Sequence, residues 1–173
     1  EAAYIGENFQ IGQSRIILEP RTLAKLLDAL DIHNDELVLD IGSGLGYSSA
    51  IISLIAEVVI AVEDDGSLAS ESEEILSEIG VDNVVVQIGK LEDGAPEHGP
   101  YDVIILQGGV EDIPGSILNQ LKNGGRIGAI FIEEGLGTAK IGFKLNNKIT
   151  WRYSFNAAAP ILPGFSKQKD FVL

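Results

Sequence analysis

Three glycines at alternate positions, Gly42, Gly44 and Gly46, follow an acid, Asp40, at the end of the apolar run Leu37-Val38-Leu39. Glycines spaced in this way, between an apolar run and a helical segment, form a tight turn with positive φ against whose bare backbone a ligand can lie. The dinucleotide fingerprint is G-x-G-x-x-G and seats a pyrophosphate on a helix N-terminus. Here the spacing is G-x-G-x-G, and an acid at the strand end suits a ligand with positive charge better than a pyrophosphate. A second acid, Glu63, closes the next apolar run. A carboxylate about 20 residues beyond such a turn accepts both hydroxyls of a ribose. Asp64 stands beside it, and Asp65 is placed to cap the helix that follows.

These residues need a scaffold of alternating strands and helices. Leu23, Leu26, Leu27 and Leu30 repeat at i, i+3, i+4 and i+7 behind Pro20, one face of a first helix. Strands are expected at 37–41, 58–62, 84–88, 102–106 and 126–132. Helices are expected at 48–56, 68–79 and 114–121. The second strand is continuously β-branched or small, as in a parallel strand covered on both faces. Alternation of this kind implies a parallel sheet with right-handed crossovers. After Gly137 the helices stop. Residues 139–145, 149–155 and 169–173 look like strands, the first two joined by a tight turn at Asn146-Asn147. The expected fold is α/β: a Rossmann-like, seven-stranded, mostly parallel sheet with helices on both faces and an antiparallel edge strand. Residues 1–173 read as one domain.

The glycine turn resembles motif I of the Rossmann-like S-adenosylmethionine methyltransferases, whose cofactor has a ribose, an adenine and a cationic sulfonium but no phosphate. Ligands in open α/β sheets lie beyond the carboxyl ends of the strands. The expected S-adenosylmethionine site is therefore Asp40, Gly42, Ser43, Gly44 and Gly46 after the first strand, and Glu63 with Asp64 after the second. Gly89, Lys90 and Leu91 after the third strand would flank the adenine. Gln107 after the fourth, followed by Gly108 and Gly109, would leave room for donor and acceptor.

Composition narrows the function further. With 45% hydrophobic and 22% charged residues the chain is globular rather than disordered. Its net charge of −14, without a basic cluster, argues against a nucleic-acid partner, since such affinity comes from Lys and Arg on phosphates. No apolar run reaches the roughly 18–20 residues a membrane span needs, and no signal peptide is visible, so the cytoplasm is the expected location. The absence of cysteine excludes disulfides and thiolate metal sites, and no metal is expected. The chain holds no methionine, even at position 1, from which we expect a truncated N-terminus.

Several spaced motifs, in order, resemble protein-L-isoaspartate O-methyltransferases. They are Gly89-Lys90-Leu91-Glu92-Asp93-Gly94, Gly99-Pro100-Tyr101-Asp102-Val103-Ile104, Ile113-Pro114, and Gln120-Leu121-Lys122-Asn123-Gly124-Gly125-Arg126. That family leads its third strand into G-D-G, begins its fourth with A-P-[YF]-D and announces its fifth with Q-L-x-x-G-G-R. Ile11-Gly12 and Pro20 match its I-G-x-x-Q-T-I-S-x-P segment, and the similarity spans roughly residues 4–135. The tail with Leu162-Pro163-Gly164-Phe165 resembles bacterial relatives. The resemblance implies methyl transfer from S-adenosylmethionine to the α-carboxylate of isoaspartyl residues in damaged proteins.

This chain departs from that pattern at the substrate side. The family serine before the proline falls at Leu18, the threonine at Ile16, the glutamine at Arg15 and the aspartate of G-D-G at Lys90. Leucine cannot hydrogen-bond a carboxylate, whereas Arg15 can hold one through a bidentate pair. Arg15, with Ser14 beside it, is therefore the candidate catalytic pair. Two alternatives stay open: a methyltransferase for another carboxylate or a small molecule, and a catalytically silent S-adenosylmethionine-binding protein. His33 and His98 read as surface histidines, and Glu71 to Glu74 as a solvated helix face. Asp102 reads as an anchor for the fourth strand. Trp151, Tyr153 and Phe155 read as one half-buried strand face, and Tyr4 and Phe9 as possible covers for the cofactor pocket.

Overall fold

The computed structural model describes residues 7–167; Tyr4 and the strand expected at 169–173 lie outside them. A two-stranded antiparallel hairpin, β1 (Phe9–Gln10) and β2 (Ile16–Ile17), leads into α1 (Pro20–Leu30). Then follow β3 (Leu37–Ile41), α2 (Tyr47–Ile52), β4 (Val58–Glu63), α3 (Gly66–Glu78), β5 (Val84–Ile88) and β6 (Tyr101–Val110). The chain continues through α4 (Gly115–Asn119), β7 (Leu121–Glu133), β8 (Leu136–Leu145) and β9 (Lys148–Asn156). One seven-stranded sheet has the order β5-β4-β3-β6-β7-β8-β9. The strands from β5 to β7 pair in parallel, β8 is antiparallel to both its neighbours, and β9 forms the edge.

The pleat separates two cores. Leu39, Ile41, Ile60 and Val62 point to one face, against Tyr101, Ile104, Ile127 and Phe165. Val38, Val59, Val103 and Ile105 point to the other, where the stripe of Leu23, Leu26 and Leu30 from α1 covers them. Turn chemistry follows the sequence. Asp65 caps α3 by accepting from Ser67 N (2.8 Å) and Leu68 N. Asn146 and Asn147 both take positive φ (51° and 58°), the requirement of a two-residue hairpin turn. Asp102 anchors neighbouring elements, accepting from Leu37 N (2.9 Å) and Lys122 Nζ (2.7 Å).

The structure departs from the sequence reading at several boundaries and on one strand face, with β7 beginning at Leu121 rather than 126 and α4 spanning Gly115–Asn119 rather than 114–121. Helix α2 stops at Ile52 rather than running to 56. Ser53 Oγ turns back onto Ala50 O (2.7 Å), and Asn83 Nδ2 from across the fold takes Ser53 O (2.9 Å) and Glu57 O (3.2 Å). Strand β6 runs through Gln107, Gly108 and Gly109, which the sequence places in a loop. A distant segment holds them: Gly109 N donates to Pro160 O (2.7 Å) and Leu162 N to Gly109 O (2.8 Å). Along β9, a register shift opposite Ala139 and Lys140 puts Phe155 against the core under α1, while Trp151 packs edge-on against Phe131 in the other core and Tyr153 is 65% exposed. The three aromatics therefore do not share the one half-buried face expected for them. Among the described residues, no helix is long and apolar enough to cross a membrane.

Candidate functional site: the glycine turn and its acids

The carboxyl ends of β3, β4 and β6 converge on the turn at 42–46. Gly42, Gly44 and Gly46 all have positive φ (81°, 56° and 83°), so the spacing seen in the sequence meets a backbone requirement. Gly42 N donates to Val62 O (2.9 Å), tying the turn to β4, and Gly46 forms the N-cap of α2.

Asp40 and Glu63 are both fully buried, with different surroundings. Asp40 accepts from Ser48 Oγ and Ser49 Oγ (2.6 Å each) and from Gln107 Nε2 (2.7 Å). It thus clamps the start of α2 and the end of β6 to the glycine turn, and Gln107 is spent on the same clamp. Burial pushes the Asp40 carboxyl above the usual aspartate range, against the pull of these three donors. Glu63 faces the turn itself. It accepts from Gly44 N (2.7 Å) and from the amides of Asp64 and Asp65 (3.0 Å each).

Arg15, in the loop between β1 and β2, reaches into this cluster. Its Nη1 meets Glu63 Oε1 at 2.6 Å, its Nη2 meets Glu63 Oε2 at 2.5 Å, and Nη1 also pairs with Asp64. Burial alone would raise the Glu63 carboxyl, but the Arg15 guanidinium outweighs it and holds Glu63 below the usual range. Asp64, partly buried beside the ionised Glu63, is pushed up instead. Among the described residues, Arg15 Nε and Ser43 Oγ are buried without a hydrogen-bond partner.

Apolar side chains close the rest of the cleft. Ile11 Cδ1 lies 2.5 Å from where a Cβ on Gly44 would stand. Leu162 Cδ2 and Arg15 Nη2 lie 3.3 and 3.4 Å from the same position on Gly42. Leu18, at the position of the family serine, is 1% exposed. With Gly42, Ser43 and Gln107 it lines a cavity of about 10 Å³. That is room for about one water, against the ~300 Å³ or more of an ordinary cofactor site. Open space remains beside Gly89, where an added Cβ meets nothing within 4 Å. Lys90 is exposed next to it, whereas Leu91 turns into the core and is fully buried. Ser14 is half-buried near the tip of the hairpin.

The structure thus brings Gly42, Ser43, Gly44, Glu63, Asp64 and Arg15 together. It assigns Asp40, Gln107 and Leu91 to the supporting framework. Ile11 and Leu162 line the cleft, although no local pattern marks either as a site residue. Ile11 stood out only as half of the Ile11-Gly12 match, and Leu162 only as part of a similar tail. Some groups around the turn are of the type S-adenosylmethionine needs: the Glu63 carboxylate, a Ser43 hydroxyl without a partner among the described residues and open space at Gly89, whereas the amides of Gly42, Ser43, Gly44 and Gly46 are buried and already donate within the fold.

Comparison with known proteins bears on the same residues. The profile of the family described as protein-L-isoaspartate(D-aspartate) O-methyltransferase matches residues 1–147. A protein-L-isoaspartate O-methyltransferase from Syntrophus aciditrophicus is 38% identical over 127 residues, covering 73% of this chain and 58% of the relative. One from Myxococcus xanthus is 36% identical over 127 residues, covering 73% and 60%. This chain thus spans less than two thirds of either relative's length. Among solved structures, a protein-L-isoaspartate O-methyltransferase superposes with a TM-score of 0.82 at 24% identity, over 90% of this chain and 50% of the other. A Plasmodium falciparum protein described as of the same type, in complex with S-adenosyl-L-homocysteine, gives 0.76 at 20% identity, over 92% and 81%. Both likenesses show the fold: a Rossmann-like methyltransferase sheet. By the profile and these relatives, the chain belongs to the protein-L-isoaspartate(D-aspartate) O-methyltransferase family.

Proposed function

We propose that this chain is an S-adenosylmethionine-dependent O-methyltransferase acting on the α-carboxylate of isoaspartyl residues in proteins. The observation that carries the reading is Glu63. It is a carboxylate at the carboxyl end of β4, 2.7 Å from the Gly44 amide, in a chain of this family. Glu63 would accept the two ribose hydroxyls, Ser43 Oγ would meet the amino-acid tail, and Gly89 would flank the adenine. When bound, S-adenosylmethionine supplies an electrophilic methyl on a sulfonium. The acceptor carboxylate is already a nucleophile, so the protein must mainly align the two and keep water out. Ile16, Leu18 and Leu162 provide an apolar wall for that purpose. The reading keeps the expected cytoplasmic location and a protein or peptide substrate.

Leu18 favours a second reading, in which the acceptor is another carboxylate or a small molecule, because an apolar group stands where relatives of the resemblance carry serine. One assay separates the two. Labelled S-adenosylmethionine is incubated with an isoaspartyl peptide and its aspartyl twin. Labelling of the isoaspartyl peptide alone supports the first reading. No labelling of either, from protein that binds S-adenosylhomocysteine, rejects it in favour of the second.

A further inference from the structure

Glu63 cannot serve a ribose and Arg15 together. Both carboxylate oxygens already receive the guanidinium, at 2.6 and 2.5 Å, and the backbone amides of Gly44, Asp64 and Asp65 take further acceptor positions. A diol arriving at the same oxygens must displace Arg15. The hairpin that carries Arg15 also sets Ile11 over Gly44, so the cation and the apolar cover move as one unit. The hairpin amides fix that geometry: Ile11 N and Gly12 N both donate to Arg15 O (3.0 and 3.2 Å).

We propose that Arg15 is a built-in competitor of the cofactor, a side chain that occupies the ribose-binding carboxylate in a closed state and must leave for S-adenosylmethionine to enter. Two features make the closed state releasable rather than permanent. Among the described residues, Arg15 Nε and Ser43 Oγ are buried without partners, so closure leaves two polar groups unsatisfied by them. The hairpin is short, two residues per strand, and its first strand, Phe9–Gln10, is exposed, so that it can lift while Ile16 and Leu18 at its base stay anchored in the core. The closed state also has a purpose in this acidic chain. Without a cation, Glu63 and Asp64 would sit side by side as uncompensated carboxylates, and Asp40 adds a third acid nearby. The apparent affinity for cofactor is then the intrinsic affinity reduced by the fraction of open molecules. Arg15 sets that fraction and with it the cofactor concentration at which the protein turns on.

The inference rests on the assignment of Glu63 to the ribose, so its test has to separate the two. S-Adenosylhomocysteine binding is measured by calorimetry and stopped flow for the wild type, Arg15→Gln and Glu63→Ala. The expected result is an affinity at least tenfold tighter for Arg15→Gln, mainly through faster association, and binding at least tenfold weaker for Glu63→Ala. If Arg15→Gln binds no tighter while Glu63→Ala loses binding, the competitor role is overturned and the ribose assignment stands. If Glu63→Ala binds as the wild type does, the ribose assignment itself fails. A second measurement needs no variant to fold. In wild-type protein with ¹⁵N-labelled arginine, the guanidinium signal of Arg15, restrained by its bidentate pair, should become freely rotating on saturation with S-adenosylhomocysteine. A signal still restrained at saturation overturns the proposal.

Discussion

Asp40 and Glu63 end adjacent parallel strands and are both fully buried, yet their acidities move in opposite directions. Asp40 meets only hydroxyl and amide donors, so desolvation wins. Glu63 meets a guanidinium, so its charge is held. The sign of each shift fixes how each group affects stability. Asp40, with a raised pKa, contributes most below its unfolded-state pKa, and the contribution is lost as pH rises through its folded value. Asp40→Asn keeps an acceptor for Ser48 and Ser49 and can present its amide to a reversed Gln107. Its melting temperature relative to wild type is expected to rise from pH 4 to pH 8. A loss of stability that grows with pH would mean that the ionised form of Asp40 is the one the fold prefers.

Glu63 has the opposite linkage. Its lowered pKa gives stability that is present above the usual glutamate range and is lost as pH falls through the folded value. Glu63→Gln removes the charge facing a buried Arg15 and is expected to cost roughly 3–5 kcal/mol at neutral pH. The deficit should shrink on acidification. Urea titrations at pH 3.5 and pH 7 measure it, and an equal deficit at both would remove the charge-pair explanation.

Gly46→Ala places a Cβ at φ +83° against Ser72 Oγ and 3.4 Å from Leu76. Strain in the left-handed region alone costs about 1–2 kcal/mol, and the contact adds to it. Gly66→Ala, in the first turn of α3 with nothing within 4 Å, is the matched control. It is expected to be neutral or to stabilise by up to about 1 kcal/mol. Similar melting temperatures for the two variants would contradict the role given to the turn.

Leu162→Ala removes a side chain that is 1% exposed and packs on Gly42 and Gly108. A cost of about 2–4 kcal/mol is expected from the cavity left behind. Leu54→Ala, at a position 82% exposed, should change stability by less than about 0.5 kcal/mol. Denaturant unfolding of both variants shows whether the tail at Leu162 is structural or merely adjacent.

Much of this arrangement was legible in the sequence because it is local. The glycines at 42, 44 and 46 are required by the turn they occupy, and Asp65 and Asn146-Asn147 announce their caps and turns within two or three residues. Glu63 follows from the topology, since a strand end beside a glycine turn has few places to be. What escaped depends on contacts distant in sequence. Nothing near Gly109 says that Pro160 and Leu162 will pair with it and extend β6. Nothing near Ser53 says that Asn83 will end α2. The chemistry expected of Arg15, a bidentate grip on a carboxylate, matches its type, but the carboxylate it grips belongs to Glu63 of the same chain.

The bridge between Gly109 and Ile161 also sets an order of assembly. The segment that seals the cleft cannot dock until β6 is in place and β7, β8 and β9 have returned the chain to the carboxyl end of that central strand. Contacts that close so long a loop form late on a folding path. The Leu162 side of the cleft therefore closes last, after the glycine turn, Glu63 and the hairpin carrying Ile11 and Arg15 are in place.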